Sequence, residues 1–278
     1  MDVLVDVDEL YRLVTVGPRP VVLDVRWKLG QTDGRQQYQD EHLPGAVYVD
    51  LETELAAPAT PELGRHPLPE VSRLQRAARR WGVRQDVAVI AYDDNAGMTA
   101  ARAWWLLRWA GVRDVRLLDG GLAAWRRAGY PLDDGDVVPS PGDVVLTSGG
   151  MPVVDAEAAA QLARDGVLLD ARAAERYRGD AEPIDPRAGH IPGALSAPTT
   201  DNVDDDGRFR PADQLRRRFA AVGISGSATV GAYCGSGVTA AHEVAALAIA
   251  GVDAALYPGS WSQWSADPDR PAATGAQP

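Results

Sequence analysis

Short apolar runs alternate along this chain with longer stretches that carry a helical spacing of apolar and polar residues. The runs are VVLDV at 21–25, VAVIAY at 87–92, VRLLD at 115–119, VLLDA at 167–171, TVGAY at 229–233 and AALYP at 254–258. They are apolar at successive positions rather than alternate ones, as in strands covered on both faces. The helical stretches end at Gly82, Gly111, Gly166, Gly223 and Gly251, each followed at once by Val or Ile. A helix, a glycine stop and a buried strand therefore recur, and the expected class is α/β, with a mostly parallel sheet flanked by helices.

The pattern also repeats as a whole. VVLDVR at 21–26 is answered by VLLDAR at 167–172, and HLPGAV at 42–47 by HIPGAL at 190–195. VIAYDDNAGMTAARAWW from Val89 is answered by VGAYCGSGVTAAHEVAA from Val230, and DGGLAAW ending at Trp125 by PGSWSQW ending at Trp264. Four matched blocks in one order predict two homologous domains of roughly 130 residues each, a common domain size. The expected division is 1–132, a linker at 133–151, and 152–278. The linker reads DDGDVVPSPGDVVLTSGGM, rich in Gly, Pro, Ser and Asp, with DVVLT as a candidate short strand.

Composition narrows the function classes. The 278 residues are 45% hydrophobic, enough for a core in each half. A net charge of −11 argues against nucleic acid and anionic membrane surfaces as partners. No run of eighteen apolar residues occurs and the N-terminal stretch is acidic, so the expected location is cytoplasmic. The chain has 1 cysteine, which rules out an internal disulfide, a Cys-rich zinc site and a CxxC redox pair. Any thiol chemistry falls to Cys234.

Cys234 follows the apolar stretch ATVGAY and precedes a helix expected from about Val238 to Ala250, so the thiol lies in a strand-to-helix loop, CGSGVT. Glycines let such a loop curl with its amides inward, and the helix N-terminus adds partial positive charge. A thiol there should ionise more readily than a free cysteine and act as a nucleophile. The alternative is a small core residue, the usual place of a lone free cysteine. In an acidic chain an anionic substrate needs local arginines, and Arg176, Arg178 and Arg187 supply them around a proline-containing loop ahead of His190.

HLPGAV and HIPGAL, the strand-loop-helix carrying CGSGVTA, and the DGG and PGSW turns together resemble the tandem-domain rhodanese family over nearly the whole chain. That resemblance implies a sulfurtransferase whose C-terminal domain carries the active Cys234, while the N-terminal domain, with Asp93 in the matching place and a loop one residue longer, is not catalytic. The CGSGVT form is like that of the mercaptopyruvate enzymes, so the implied donor is 3-mercaptopyruvate, with thiosulfate the other candidate. By the same likeness Arg176 and Arg187 hold the donor's carboxylate and keto group. The amides of Gly235, Ser236, Gly237, Val238 and Thr239 would cradle a persulfide, with Ser236 relaying a proton. Related enzymes use an N-domain histidine with an upstream aspartate beside the loop serine, for which His42 and Asp33 are the candidates. The alternative for His42, and the expectation for His190, is a fixed turn, since both domains have the H-[IL]-P-G-A motif and only one has a cysteine. Trp261 and Trp264 are expected to pack rather than react.

The implied partners are a small anionic sulfur donor and an acceptor that is a thiol, cyanide or a thioredoxin-like protein, with no metal or organic cofactor. Two rival readings remain. A cysteine-dependent phosphatase of this fold needs an arginine at the end of a longer loop, where this chain has Ala240. A non-catalytic persulfide carrier or regulatory binding module would keep Cys234 without preferring any small donor.

Overall fold

A computed structural model of the chain describes residues 2–224 and 228–278. It contains two compact units, each an α/β layer structure. In the first, strands β1 (Leu4–Val5), β2 (Val21–Asp24), β3 (Val47–Tyr48), β4 (Val89–Tyr92) and β5 (Val115–Leu118) form one sheet in the order β1-β5-β4-β2-β3. In the second, β6 (Val167–Asp170), β7 (Leu195–Ser196), β8 (Val230–Tyr233) and β9 (Ala254–Leu256) lie in the order β7-β6-β8-β9. Every strand pairing in both sheets is parallel. The six apolar runs supply the longer strands. The edge strands β1, β3 and β7 have two residues each, too few to show a period in sequence. In the second unit the place of β1 is taken by a single parallel bridge, Val153 to Leu256.

Helices cover these sheets for local reasons. Asp6 and Asp155 accept the amides of Glu9 and Ala158 and so cap the helices Val7–Thr15 and Ala156–Asp165. The helix Val71–Arg80 buries Leu74, Ala77 and Ala78 and keeps its arginines on the opposite side. By contrast Thr239–Ile249 is buried on nearly all sides, which is why it reads as almost continuously apolar. Its bounds match the expected helix to within a residue. Four of the five glycine stops adopt the left-handed conformation, while Gly166, at φ −131°, ends its helix without it.

The division of the chain is less simple than the contiguous one expected. One unit comprises Met1–Ala57, Pro69–Met151 and Asp205–Phe209, and the other Pro58–Leu68, Pro152–Asp204 and Arg210–Pro278. The stretch 133–151 packs with the first unit instead of standing apart as a linker. Its DVVLT segment forms no strand: Val144 and Leu146 are buried, and the amides of Val144 and Thr147 bond to the carbonyls of Val83 and Ala110 at 3.3 and 3.0 Å. More important for function, residues 58–68 leave the first unit and are built into the second.

Each unit also carries the same buried polar brace. Asp24 and Tyr92 are register partners on β2 and β4, as Asp170 and Tyr233 are on β6 and β8. Arg26 grips Asp24, and Arg172 grips Asp170, each through paired guanidinium contacts. The tyrosine hydroxyls accept the amides of Leu43 and Ile191, tying the H-[IL]-P-G-A turns to the sheet at 3.1 Å in both cases. Burial and the adjacent carboxylate hold both phenols well above the usual tyrosine range, so they stay neutral.

Candidate active site

The second unit brings Cys234 to the carboxyl end of β8, at the foot of the helix Thr239–Ile249. Ligand sites of parallel sheets lie at this edge. Cys234 is 2% exposed, and the amide of Gly237 donates to its Sγ at 3.1 Å. Gly237 has φ +78°, and a Cβ there would stand 2.5 Å from the carbonyl oxygen of Pro258, so both conformation and space demand glycine. The turn after β9 holds the loop from below: Ser260 Oγ accepts the amide of Cys234 at 3.1 Å, and the amides of Trp261 and Ser262 donate to the carbonyls of Cys234 and Gly235, both at 2.9 Å. Ser260 itself sits at φ +53°, a strained conformation for a residue with a side chain.

Ser236, also buried, has its hydroxyl 2.7 Å from Nδ1 of a histidine, and that histidine is His66. His66 belongs to the segment 58–68, which docks on the second unit through the Arg65 amide to Ser262 Oγ at 3.1 Å and Gln263 Nε2 to the Glu62 carbonyl at 2.6 Å. His42 and Asp33 are not placed as expected. His42 is wholly buried, its Nδ1 lies 2.9 Å from the Tyr38 carbonyl and its ring stacks on Tyr38. His190 repeats this arrangement on Tyr177, at 2.8 Å. Both histidines therefore fix turns. Asp33 is exposed at the head of the helix Gly34–Asp40 and bonds Gln37 Nε2 at 2.9 Å rather than His42.

Arg176, at the end of the helix Ala174–Arg178, lies beside the loop. A Cβ placed on Gly235 would be 3.4 Å from its Nη1 and 3.0 Å from Nη2 of Arg65. Arg187 corrects the other expectation. Its guanidinium donates to the carbonyls of Ser265, Arg270, Trp264 and Asp267 at 2.6–2.9 Å, closing the C-terminal end of the helix Ser260–Ala266. A guanidinium has five N–H donors, and with four of them on carbonyls Arg187 keeps no paired fork for a donor's carboxylate. Arg178 pairs with Asp180 in solvent. Trp261 and Trp264 are buried in the core of the unit, with their indole N–H groups on the carbonyls of Arg187 and Pro271.

Arg65 and His66 are thus the residues that sequence reasoning missed. One signal was available. Of 4 histidines, two are taken by the repeated turn motif, leaving His66 and His242, and His66 follows an arginine in the proline-rich stretch RHPLP.

Comparison with known proteins agrees with this architecture. A rhodanese-like domain profile matches residues 6–128 and again 155–267. The chain is 51% identical over 93% of its length, and 93% of the other's, to a protein of Pseudomonas aeruginosa named "Probable 3-mercaptopyruvate sulfurtransferase". It is 48% identical, over 98% of its length and 97% of the other's, to a Mycobacterium tuberculosis protein that bears the name of a thiosulfate sulfurtransferase, SseB. Its structure resembles the crystal structure of SseA from Escherichia coli, described as a 3-mercaptopyruvate sulfotransferase, with a TM-score of 0.83 and 34% identity, covering 94% of this chain and 99% of that one.

Proposed function

Because the chain belongs to the rhodanese family and is a sulfurtransferase, we propose that it carries sulfur on Cys234, from 3-mercaptopyruvate to a thiol acceptor. The observation that supports this reading most is the single thiol of the chain, set at a helix N-terminus with the Gly237 amide 3.1 Å from its sulfur and the Ser236 and His66 pair in the same loop environment.

In the first half-reaction the Cys234 thiolate attacks the donor's sulfur. The S–S bond forms as the donor's C–S bond breaks, and the bonding pair of that bond leaves on carbon as the enolate of pyruvate. Ser236 delivers a proton to that carbon, and His66 replaces the proton on Ser236, leaving pyruvate and a Cys234 persulfide. The loop amides stabilise the sulfur's negative charge. In the second half-reaction an acceptor thiolate attacks the outer sulfur and returns Cys234 to the thiolate. A small thiol or the thiol of a thioredoxin-like protein fits this step, and cyanide would serve as a laboratory acceptor. Arg176 binds the donor's carboxylate, a task suited to a planar guanidinium fork.

The donor preference follows from the loop. Gly235 and Ser236 add no cation after the cysteine, which suits a donor with one carboxylate better than the dianion thiosulfate. A buried thiol that must stay reduced supports a reducing compartment, in keeping with a cytoplasmic enzyme. Among the described residues no helix is long and apolar enough to cross a membrane.

The test is mass spectrometry of the protein after incubation with 3-mercaptopyruvate or thiosulfate. An increment of about 32 Da on the Cys234 peptide, removed by cyanide or a thiol, is the expected result for a covalent sulfur carrier. Its absence with both donors defeats the reading.

A further inference from the structure

We propose that the first unit holds a binding site of its own, apart from Cys234: a cleft beside the helix Val71–Arg80 that takes an extended segment of a partner protein in which acidic and apolar residues alternate. The cleft measures about 990 Å³ and is lined chiefly by that helix, by residues 47–54 and by residues 137–141.

Charge is the first observation. Arg35, Arg73, Arg76 and Arg80 line the cleft against two carboxylates, Asp50 and Glu54, a local reversal in a chain of net charge −11. Glu54 is taken up by Arg80 at 2.8 Å and by the Asp50 amide at 3.1 Å, while Arg73 donates to the Thr53 carbonyl at 2.7 Å. Arg76 is exposed, and among the described residues no carboxylate pairs with it. The second unit differs at the same place. Its helix Ala212–Ala221 begins as far before β8 as Val71–Arg80 begins before β4, so Arg217 matches Arg76. Arg217 pairs with Asp213 at 2.8 Å, and in the place of Asp213 the first unit has Ser72.

The second observation is an apolar, stiff lining. The stretch expected as a linker is held to the unit by the Val137 amide on the Tyr38 hydroxyl at 3.1 Å and by the Gly142 amide on the Arg79 carbonyl at 2.7 Å. Between these anchors runs VPSP, whose prolines fix their own φ and keep the residues before them extended. Val138 is 90% exposed there, a large apolar side chain left in solvent in the same cleft as the arginines. Arg73, Arg76 and Arg80 follow one another on one face of their helix, about 10 Å from first to last. An extended chain covers that length in about three residues, with alternate side chains about 7 Å apart on one face. Acids at alternate positions can thus meet successive arginines while the residues between them cover Val138 and the prolines. A single phosphate engages one or two guanidinium groups and leaves the apolar lining in water.

The test is fluorescence anisotropy of the whole protein with a labelled peptide of alternating glutamate and valine at low salt. Saturable binding that weakens as salt rises is the expected result. Arg76→Glu should weaken it at least about tenfold and Val138→Ser about threefold, both with unchanged melting temperature. Wild-type protein that fails to saturate below about 1 mM peptide overturns the proposal, as does an Arg76→Glu affinity within about twofold of wild type. If Arg76→Glu does not fold, Arg76→Gln decides: an unchanged affinity overturns the proposal and a weakened one supports it. A peptide of alternating glutamate and serine that binds as tightly as the valine peptide overturns the proposed ligand, because the apolar lining then contributes nothing. Displacement by inorganic triphosphate or a short single-stranded oligonucleotide at lower concentration than by unlabelled peptide overturns it in favour of a phosphate ligand. Cys234→Ser should bind the peptide as wild type does, so a failure of the sulfurtransfer reading and a failure of this one are distinguishable.

Discussion

The loops that follow β4 and β8 occupy matching places in the two units and curl around different side chains. After β4, the carboxylate of Asp93 accepts the amides of Asn95, Gly97, Thr99 and Ala100 at 2.8–2.9 Å, and the Thr99 hydroxyl at 2.8 Å. After β8, the matching position is Cys234, with the Gly237 amide on its sulfur. The first unit shows what the loop is by construction: a nest of amides at a helix N-terminus, suited to negative charge whatever atom carries it. In one unit an aspartate side chain fills the nest, and in the other the side chain of the single cysteine. The turn beneath differs in the same sense. Gly121 and Ser260 have nearly the same left-handed φ, +54° and +53°, but only Ser260 has a hydroxyl to fix the loop's first amide. Strain that glycine would avoid is accepted where the loop must be held in place.

The sharpest break of this comparison is to move the thiol. Cys234→Ser should lose all sulfur transfer, and Asp93→Cys in that background should not restore it, because the first loop is one residue longer and has neither Ser236 nor the arginine pair. The readout is the persulfide increment at each position, and restored loading at residue 93 would mean that a nest and a thiol suffice.

Next in size, Ser236→Ala and His66→Ala should each lower kcat about a hundredfold, the lower range for a lost proton relay, while Asn95→Ala at the matching place in the first unit leaves kcat unchanged. Equal kcat in all three variants would remove Ser236 and His66 from the chemistry.

Asp93→Ala should destabilise the protein by about 3 kcal/mol in urea unfolding, since several buried amides lose their acceptor, with sulfur loading at Cys234 retained. A change under about 0.5 kcal/mol would show that water replaces the carboxylate.

The smallest effects concern Ser260. Ser260→Ala keeps the strained φ and removes the hydroxyl, and should cost about 2 kcal/mol. Ser260→Gly also relieves the strain, and should cost about 1 kcal/mol. The reverse ranking in thermal unfolding would mean that the hydroxyl matters less than the side-chain volume.

Much of this was legible in the order of residues because it is local. The apolar runs mark the long strands, since a parallel sheet under helices buries both faces of each strand. The repeated blocks mark two domains, and the glycines around Cys234 mark a tight loop because few other residues allow it. DVVLT misled because its β-branched residues serve another use: Val144 and Leu146 are buried where the segment lies on the first unit. His42 misled because a histidine after a short helix reads the same whether its ring meets a substrate or, as here, the Tyr38 carbonyl.

What the sequence settled by itself is the fold class, the duplication and the loop that carries the one thiol, each written in neighbouring residues. Tertiary structure alone decided which histidine and which arginine lie against that loop. His66 and Ser236 are 170 positions apart, and Arg65 and Asp185 are 120 apart. Pairings at such distances leave no periodic trace, because they come from where a whole segment finds its complementary surface. Residues 58–68 found theirs on the second unit.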